Sequence, residues 1–573
     1  MGGLLILSLC WPLLTALALL PPASRPLARR LAPWGALPAL LVSALTVADA
    51  DTGWLLFGGS LGIDETAAVL LPVTAGLWLA AGLFAGYHLP AGHRRDVFFG
   101  WFLAAMAGNL LLLTAFDAVI FYLCYTLMSV TAYGLIVHSG EAEARHAGRY
   151  YFAMAVIGEV CIVNALMLLA SQGSTDFAAL RSGLAAGDSS IAMSLLIVGF
   201  GIKAGVFGLH FWLPLAHPVA PAPASAVLSG AMIKAGLVGW LRLFPLGESA
   251  MPGWGALLAV LGILTTVYGV LAGLPQTRPK TILAYSSISQ IGLMTVTIAL
   301  GLIAPSVWPL LHAAVLLFIV HHGFTKGALF LGTGLLHEPL RPVLARLVTV
   351  VFAAASLALA AGMYTGGLLA KLALKEAAAG IRADWYPLLA PALGVSSVLT
   401  ALLMLRFLAL ARPAVDRQAR PLSPAVLLSW LALFGASVAA PWWLAEPVLR
   451  ATALAPAALW DASWPVMLAA GIAASVVGTR RAGLGPRLPA IPPGDLGVAL
   501  ETGLIRFGRR SASLAVTRAL ALRERGIVTA GNIASGVPRW SAYASAIEDN
   551  AAAWSVTGAL AVLLAVAAAW LMI

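Results

Sequence analysis

Charge is scarce in this chain. Only 10% of its 573 residues are Asp, Glu, Lys or Arg, while 61% are hydrophobic, far from the globular norm. That balance excludes a soluble domain of any size. Cysteine is nearly absent too: Cys10, Cys124 and Cys161 are scattered through apolar runs, with no CxxC or Cys/His cluster. Neither a zinc site nor an iron–sulfur centre is expected. No Walker loop or dinucleotide fingerprint occurs either. The chain is therefore expected to carry no cofactor and no catalytic or redox site of its own. The net charge of +11 is mostly loop arginine. It speaks to membrane orientation and anionic lipid rather than to nucleic acid.

What is present is apolar length. Many runs can cross a hydrocarbon core of about 30 Å. Sixteen spans are expected: Met1–Leu20, Gly35–Val47, Thr66–Tyr87, Val97–Leu113, Ala115–Val137, Tyr150–Ala170, Ile191–Leu213, Ala222–Phe244, Trp254–Gly273, Thr281–Ile303, Trp308–Leu336, Val343–Ala379, Tyr386–Leu410, Pro424–Ala440, Trp464–Gly478 and Ala551–Ile573. The first lacks a basic leader, so it reads as an uncleaved span rather than a signal peptide.

Loop charge gives an independent reading. Basic residues gather in alternate loops, at Arg25/Arg29/Arg30, Arg94/Arg95, Arg145/Arg149, Arg278/Lys280, Arg341/Arg346 and Arg412/Arg417/Arg420. The loops between are poor in them. Cytoplasmic short loops carry the Lys/Arg excess, which places both termini outside the cytoplasm. The long segment Thr479–Asn550 then faces the cytoplasm. Leu500, Leu504, Phe507 and Leu514 recur in it at helical spacing among Arg506, Arg509, Arg510 and Arg518. This fits an amphipathic helix on the membrane surface, or an ordinary basic surface helix.

Two lysines interrupt consecutive apolar runs, Lys203 and Lys234. A lysine in hydrocarbon is costly and marks an ion or proton path by default. Between them Pro214, Pro218, Pro221 and Pro223 remove backbone donors, so a proline-broken turn is expected there. His322 and Lys326 are four apart and share a helix face. Histidine titrates near neutral pH and can pass a proton. Glu159 lies in mid-span, where a lone carboxylate needs a partner. Lys375 reads as a snorkelling lysine at a span end. His210 and His217 flank the proline run and read equally well as backbone caps.

The run HFWLPLAHPVAPAPASAVLSGAMIKAG, His210–Gly236, resembles the signature of the antiporter-like membrane subunits of respiratory complex I, Mrp sodium/proton antiporters and energy-converting hydrogenases of the hydrogenase-4 and formate hydrogenlyase type. Further resemblances follow in order at Pro279–Gly292, His321–Gly334, Thr365–Glu376 and Val395–Phe407. The resemblance implies an all-α polytopic core of fourteen spans with two inverted five-helix repeats and helices broken at two lysine sites. The implied divisions are N-terminal helices (1–96), repeats at 97–244 and 254–410, C-terminal helices (424–478), the lateral segment (479–550) and a last span (551–573). It implies proton-translocation roles for Lys203, Lys234, Lys371, His322 and Lys326, with His210 a further candidate. Implied partners are other membrane subunits, the lipid bilayer, and protons or Na+. The location implied is the inner (plasma) membrane.

One departure stands out. The family places a glutamate in the fifth span, but here Thr126 occupies that position. Glu159 on the next span is expected to replace it as the partner of Lys203; the alternative is that Glu159 pairs elsewhere. Three functional readings remain open: an ion-translocating subunit of a redox-driven complex, an Mrp-type antiporter subunit, and a non-conducting scaffold.

Overall fold

The computed structural model describes residues 2–44, 59–170, 173–186, 189–381, 386–481, 491–495 and 498. The chain divides into two compact units, Met1–Asp495 and Leu496–Ile573. Apart from Val498, everything described belongs to the first. Most of the expected surface helix and the span Ala551–Ile573 lie outside the described residues.

The architecture is all-helical. The long helices are α1 (Gly2–Ala18), α2 (Glu65–His88), α3 (His93–Thr114), α4 (Ala118–Ile136), α5 (Ala142–Ala170), α6 (Ser190–Ala204) and the short α7 (Trp212–Val219). Next come α8 (Ala222–Leu243), α9 (Pro252–Gly273), α10 (Pro279–Ile303), α11 (Trp308–Gly334), α12 (Pro342–Leu359) and α13 (Gly366–Ala379). Last are α14 (Tyr386–Leu410), α15 (Pro424–Leu444) and α16 (Pro456–Arg481). Among the described residues twelve helices are long and apolar enough to cross a membrane, and α1 and α6 are shorter apolar helices. This is a multi-span membrane protein.

Sequence chemistry sets the helix ends. Asp64 accepts from the Ala67 N–H at 2.8 Å and Asp117 from those of Val119 and Ile120 at 3.0 Å, so each caps a helix N-terminus. Arg242, at the end of α8, binds Asp64 and the Leu113 carbonyl, tying α8 to α2 and α3. The apolar windows of α8 and α10 are each 94% buried, so these two helices form the centre, whereas that of α16 is only 17% buried.

Three expected spans differ. Within Gly35–Val47 the described residues, which stop at 44, hold a short helix, Leu37–Val42, preceded by the 3-10 turn Ala32–Trp34. Ile191–Leu213 is not continuous. α6 stops where Gly205 adopts φ 79° and its N–H returns to the Gly201 carbonyl, a left-handed stop that glycine makes without strain. Seven residues later α7 begins. Pro214 and Pro218 do not make this break, for both lie inside α7; the proline break falls at the next junction, where α7 ends at Val219 and Pro221 is the N-cap of α8. Pro214 sits in the first turn, where a missing N–H costs nothing. Val343–Ala379 is likewise two helices. α12 and α13 are separated by residues 360–365, with Ala361 and Tyr364 at φ near 60°, and Thr365 caps α13.

Candidate functional site

Three neighbourhoods of buried polar groups in this apolar bundle each surround a lysine. In the first, Lys203 on α6 is 5% exposed. Its Nζ donates to Ser129 Oγ on α4 at 3.0 Å and to Tyr151 OH on α5 at 3.3 Å. The rings of Tyr125 and Tyr151 lie 5.7 and 5.6 Å from the ammonium, within cation–π range. Glu159, on α5, is 6% exposed and accepts from Thr126 Oγ1 at 2.6 Å. Its other oxygen, Oε1, has no hydrogen-bond partner. Glu159, Lys203, Ser129, Tyr151 and Trp212 line one small cavity of about 10 Å3, the size that holds roughly one water. So Glu159 and Lys203 line the same water-sized space, while the carboxylate's direct partner is Thr126. Glycines bring the helices this close: a Cβ at Gly158 would stand 3.2 Å from the Gly199 carbonyl.

The second neighbourhood is central. A π-turn, Leu228–Met232, ends two residues before Lys234. Its irregular backbone leaves the Ser229 carbonyl to accept from Lys234 Nζ. The same Nζ lies 2.7 Å from His322 Nδ1 on α11. One turn along α11, Lys326 Nζ donates to the Leu283 carbonyl of α10 at 2.8 Å. Ser229 Oγ and Ser287 Oγ are 2.7 Å apart, and Ser287 also donates to the Leu283 carbonyl. The two lysines are thus linked through Ser229, whose carbonyl takes Lys234 and whose hydroxyl meets Ser287, and through the Leu283 carbonyl, which accepts from both Ser287 and Lys326. His322 and Lys326 are fully buried. Gly230 and Gly323 permit the contact, for a Cβ on either would sit 3.0 Å from the other's carbonyl oxygen.

The third surrounds Lys371 on α13. Its Nζ donates to Ser397 Oγ at 2.6 Å and Ser396 Oγ at 2.8 Å, with the Leu393 carbonyl at 3.4 Å. Lys371 opens on a cavity of about 250 Å3 that Lys375, Ser397, Asp461 and Trp464 also line. Lys375 is not a lone end-of-span lysine: its Nζ is 3.0 Å from Asp461 Oδ2 on α16.

His210 belongs to none of these. It is fully buried in the interval between α6 and α7, with Nε2 3.2 Å from Asp495 Oδ2. His217 stacks on Phe330 at 4.3 Å, 18° from parallel.

Sequence reasoning passed over several of these groups. The hydroxyls of Ser129, Tyr151, Ser396 and Ser397 are the direct lysine partners, and their signal was hydroxyls recurring in apolar runs. His321 was passed over for its neighbour. It is 1% exposed, and a Cβ at Gly366 or Gly367 would meet its ring, so the paired glycines let α13 start against it. Asp495 gave no signal at all.

Residues 115–400 match the family model described as NADH:quinone oxidoreductase/Mrp antiporter, transmembrane. Hydrogenase-4 component B of Escherichia coli (strain K12) is 32% identical over 290 residues, covering 48% of this chain and 43% of the relative. NAD(P)H-quinone oxidoreductase chain 4 1 of Picosynechococcus sp. is 31% identical over 328 residues, covering 55% and 58%. The chain thus spans about half the length of the curated relatives it matches. The structure of the Mrp complex from Dietzia sp. aligns with TM-score 0.72 and 22% identity over 92% of this chain and 63% of that one. The membrane-bound sulfane sulfur reductase, an archaeal respiratory membrane complex, aligns with TM-score 0.65 and 21% identity, covering 82% and 99%. At those identities the likeness concerns the fold.

Proposed function

The membrane core of this chain, residues 115–400, belongs to the NADH:quinone oxidoreductase/Mrp antiporter transmembrane family, and on that premise we propose that the chain is the ion-translocating membrane subunit of a multisubunit complex I-like or energy-converting hydrogenase-like complex. Its path runs along Lys203, Lys234 with His322 and Lys326, and Lys371. Protons are the ion the groups suit best, with Glu159 tuning Lys203 in place of a carboxylate at Thr126.

One observation carries the reading. Lys203, Lys234 and Lys371 are all buried, and among the described residues none makes an ion pair. Each is held by hydroxyls, a carbonyl or an imidazole. A permanent ammonium buried without a counter-ion is expensive. Hydroxyl and imidazole partners keep hydrogen bonds to an amine in either protonation state. The sites therefore suit a charge that comes and goes. Because a charge on one lysine disfavours another nearby in a low-dielectric interior, protons pass by hand-over rather than accumulation. Lys203 and Lys371 each sit on serine hydroxyls at opposite ends of the series, consistent with two related half-channels. The Lys371 cavity, opening toward Lys375 and Asp461, would be one mouth.

The test is ion uptake by proteoliposomes carrying the assembled complex. Lys203→Ala and Lys371→Ala should each abolish uptake while assembly persists. Wild-type uptake by both variants would overturn the reading. Sodium-dependent exchange without any electron donor would favour an Mrp-type antiporter subunit. A wild-type complex that moves no ion would favour a scaffold.

A further inference from the structure

Asp495 lies 95 residues beyond the end of the region that matches the family model. It reaches the core through a turn whose sequence explains its shape. Ile491–Pro492–Pro493–Gly494–Asp495 bends at Pro493 and Gly494, with Gly494 at φ 83° and the Asp495 N–H bonded to the Pro492 carbonyl at 3.0 Å. Proline followed by a glycine with positive φ is the chemistry of a type II turn. Gln276, three residues past the end of α9, fixes the turn by donating to the Ile491 carbonyl at 3.1 Å. Asp495 itself has φ 30°, an uncommon value for a residue with a Cβ, of the kind that clusters at functional sites.

The turn delivers a carboxylate into a closed, mostly aromatic pocket. Asp495 is 6% exposed, and His210 and Tyr285 are fully buried. Tyr285 OH donates to Oδ2 at 2.6 Å, and His210 Nε2 lies 3.2 Å from the same oxygen. The rings of Phe211 and Tyr268 stand 5.0 and 5.2 Å from the imidazole, tilted by 52° and 57°. His210 Nδ1 has no hydrogen-bond partner. Two residues further on, Trp212 walls the Lys203 cavity and donates to the Ile202 carbonyl at 2.8 Å.

The geometry points to Asp495 as the proton-loading group of His210, so that a segment outside the matched family region supplies the acid that feeds the interval between α6 and α7. The inference rests on the translocation reading above and adds a residue to its path. In the step, the proton on the Asp495 carboxyl moves to His210 Nε2, leaving a carboxylate and an imidazolium. The imidazolium then gives up its Nδ1 proton to a water, the ring turns over to present its bare nitrogen to the acid again, and the carboxylate takes its next proton from solvent past the exposed Pro492 of the turn. Within the pair, the transfer converts a neutral acid and neutral base into two opposite charges in contact. The net buried charge does not change, and burying net charge is the costly event in low dielectric. Tyr285 steadies the carboxylate half of that exchange.

An anchoring role would use the same contacts, so the test must separate a proton carrier from a peg. In membrane vesicles holding the whole complex, Asp495→Asn keeps the shape and can still accept from Tyr285, but it carries no acidic proton. Asp495→Glu keeps the proton. The expected result is ion translocation lowered by about a hundredfold in Asp495→Asn and largely retained in Asp495→Glu, with assembly and Tm unchanged in both. Translocation by Asp495→Asn at the wild-type rate overturns the inference and leaves the broader function standing. A wild-type complex that moves no ions sinks the broader function instead. Should Asp495→Asn fail to assemble, carbodiimide labelling of the wild-type complex decides, because it needs a protonated carboxyl. Labelling at Asp495 that increases in Tyr285→Phe, where the carboxylate loses a stabilising donor, supports the proton-loading role. Absence of label at Asp495 from acidic to neutral pH overturns it.

Discussion

Thr126 Oγ1 donates a 2.6 Å hydrogen bond to Glu159 Oε2, so the position that lacks an acid and the residue that carries one are in direct contact across α4 and α5. The two side chains share one site rather than competing for it. Glu159→Gln should cut translocation strongly, and Thr126→Glu in that background should restore part of it, because an acid returned at 126 is one hydrogen-bond length from where the first one stood. Thr126→Val should remove the donor and leave a buried acceptor short, costing about 1–3 kcal/mol, read as a fall in Tm of the complex. Full translocation in Glu159→Gln would end this account.

The two serines that hold Lys371 predict a graded loss. Ser396→Ala or Ser397→Ala leaves one hydroxyl partner, and the double variant leaves only the Leu393 carbonyl at 3.4 Å. Each single change should slow ion uptake modestly, and the double change should approach Lys371→Ala. Equal rates in all four proteins would mean that the hydroxyls do not serve the lysine.

The Lys375–Asp461 pair is half exposed, at 43% and 54% of its side-chain areas. Such pairs contribute about 0–1 kcal/mol, so Asp461→Asn should leave Tm unchanged. If the pair stands at the mouth of the Lys371 cavity, the same variant should alter uptake and its salt dependence. Orientation is checked on the same helix. A cysteine placed at 461 should react with an impermeant maleimide from outside the cell, and one placed at 278 only from the cytoplasmic side. The reverse pattern would invert the topology.

Gly230→Ala tests how Lys234 is aimed. The new Cβ would stand 3.0 Å from the Gly323 carbonyl and closer still to Leu77. Leu77 can turn aside, but the α11 backbone cannot. Overpacking of this kind costs roughly 1–3 kcal/mol, and separating α8 from α11 should break the 2.7 Å contact of Lys234 with His322. Translocation should fall further than the Tm change alone would suggest. A variant with normal uptake would show that this contact is dispensable.

Most helices could be read from apolar length, and the buried lysines from their cost in hydrocarbon. What escaped the sequence did so for physical reasons. The turn at 360–365, Ala-Ala-Gly-Met-Tyr-Thr, is nearly as apolar as its flanks, so hydropathy runs through it. Only Thr365 as a cap marks the restart. The proline run marks the break at Pro221 but not the earlier one, because a glycine with φ 79° ends α6 before any proline arrives. Lys375 looked like a surface lysine because its partner lies 86 residues away on another helix. Asp495 sits in a polar-looking loop sequence, and nothing local says that a turn will press it against His210. Contacts made across such distances are set by packing, which no sequence window contains.

The glycine contacts have a consequence for how this machine can move. A Cβ at Gly236 would stand 2.5 Å from the Phe200 carbonyl, and one at Gly367 would stand 2.0 Å from the Ala358 carbonyl. With Gly158 against Gly199 and Gly230 against Gly323, the helices bearing Lys203, Glu159, Lys234 and His322 touch backbone to backbone. Surfaces in such contact have no side-chain cushion to absorb a sliding or rocking stroke, since close-packed interiors deform little. Rotamer changes of the lysines and rearrangements of water remain available, and these belong to the ps–ns range rather than the μs–ms range of domain motions. The bundle is built as a stiff frame, so that under the proposed function charge would travel while the scaffold stays still.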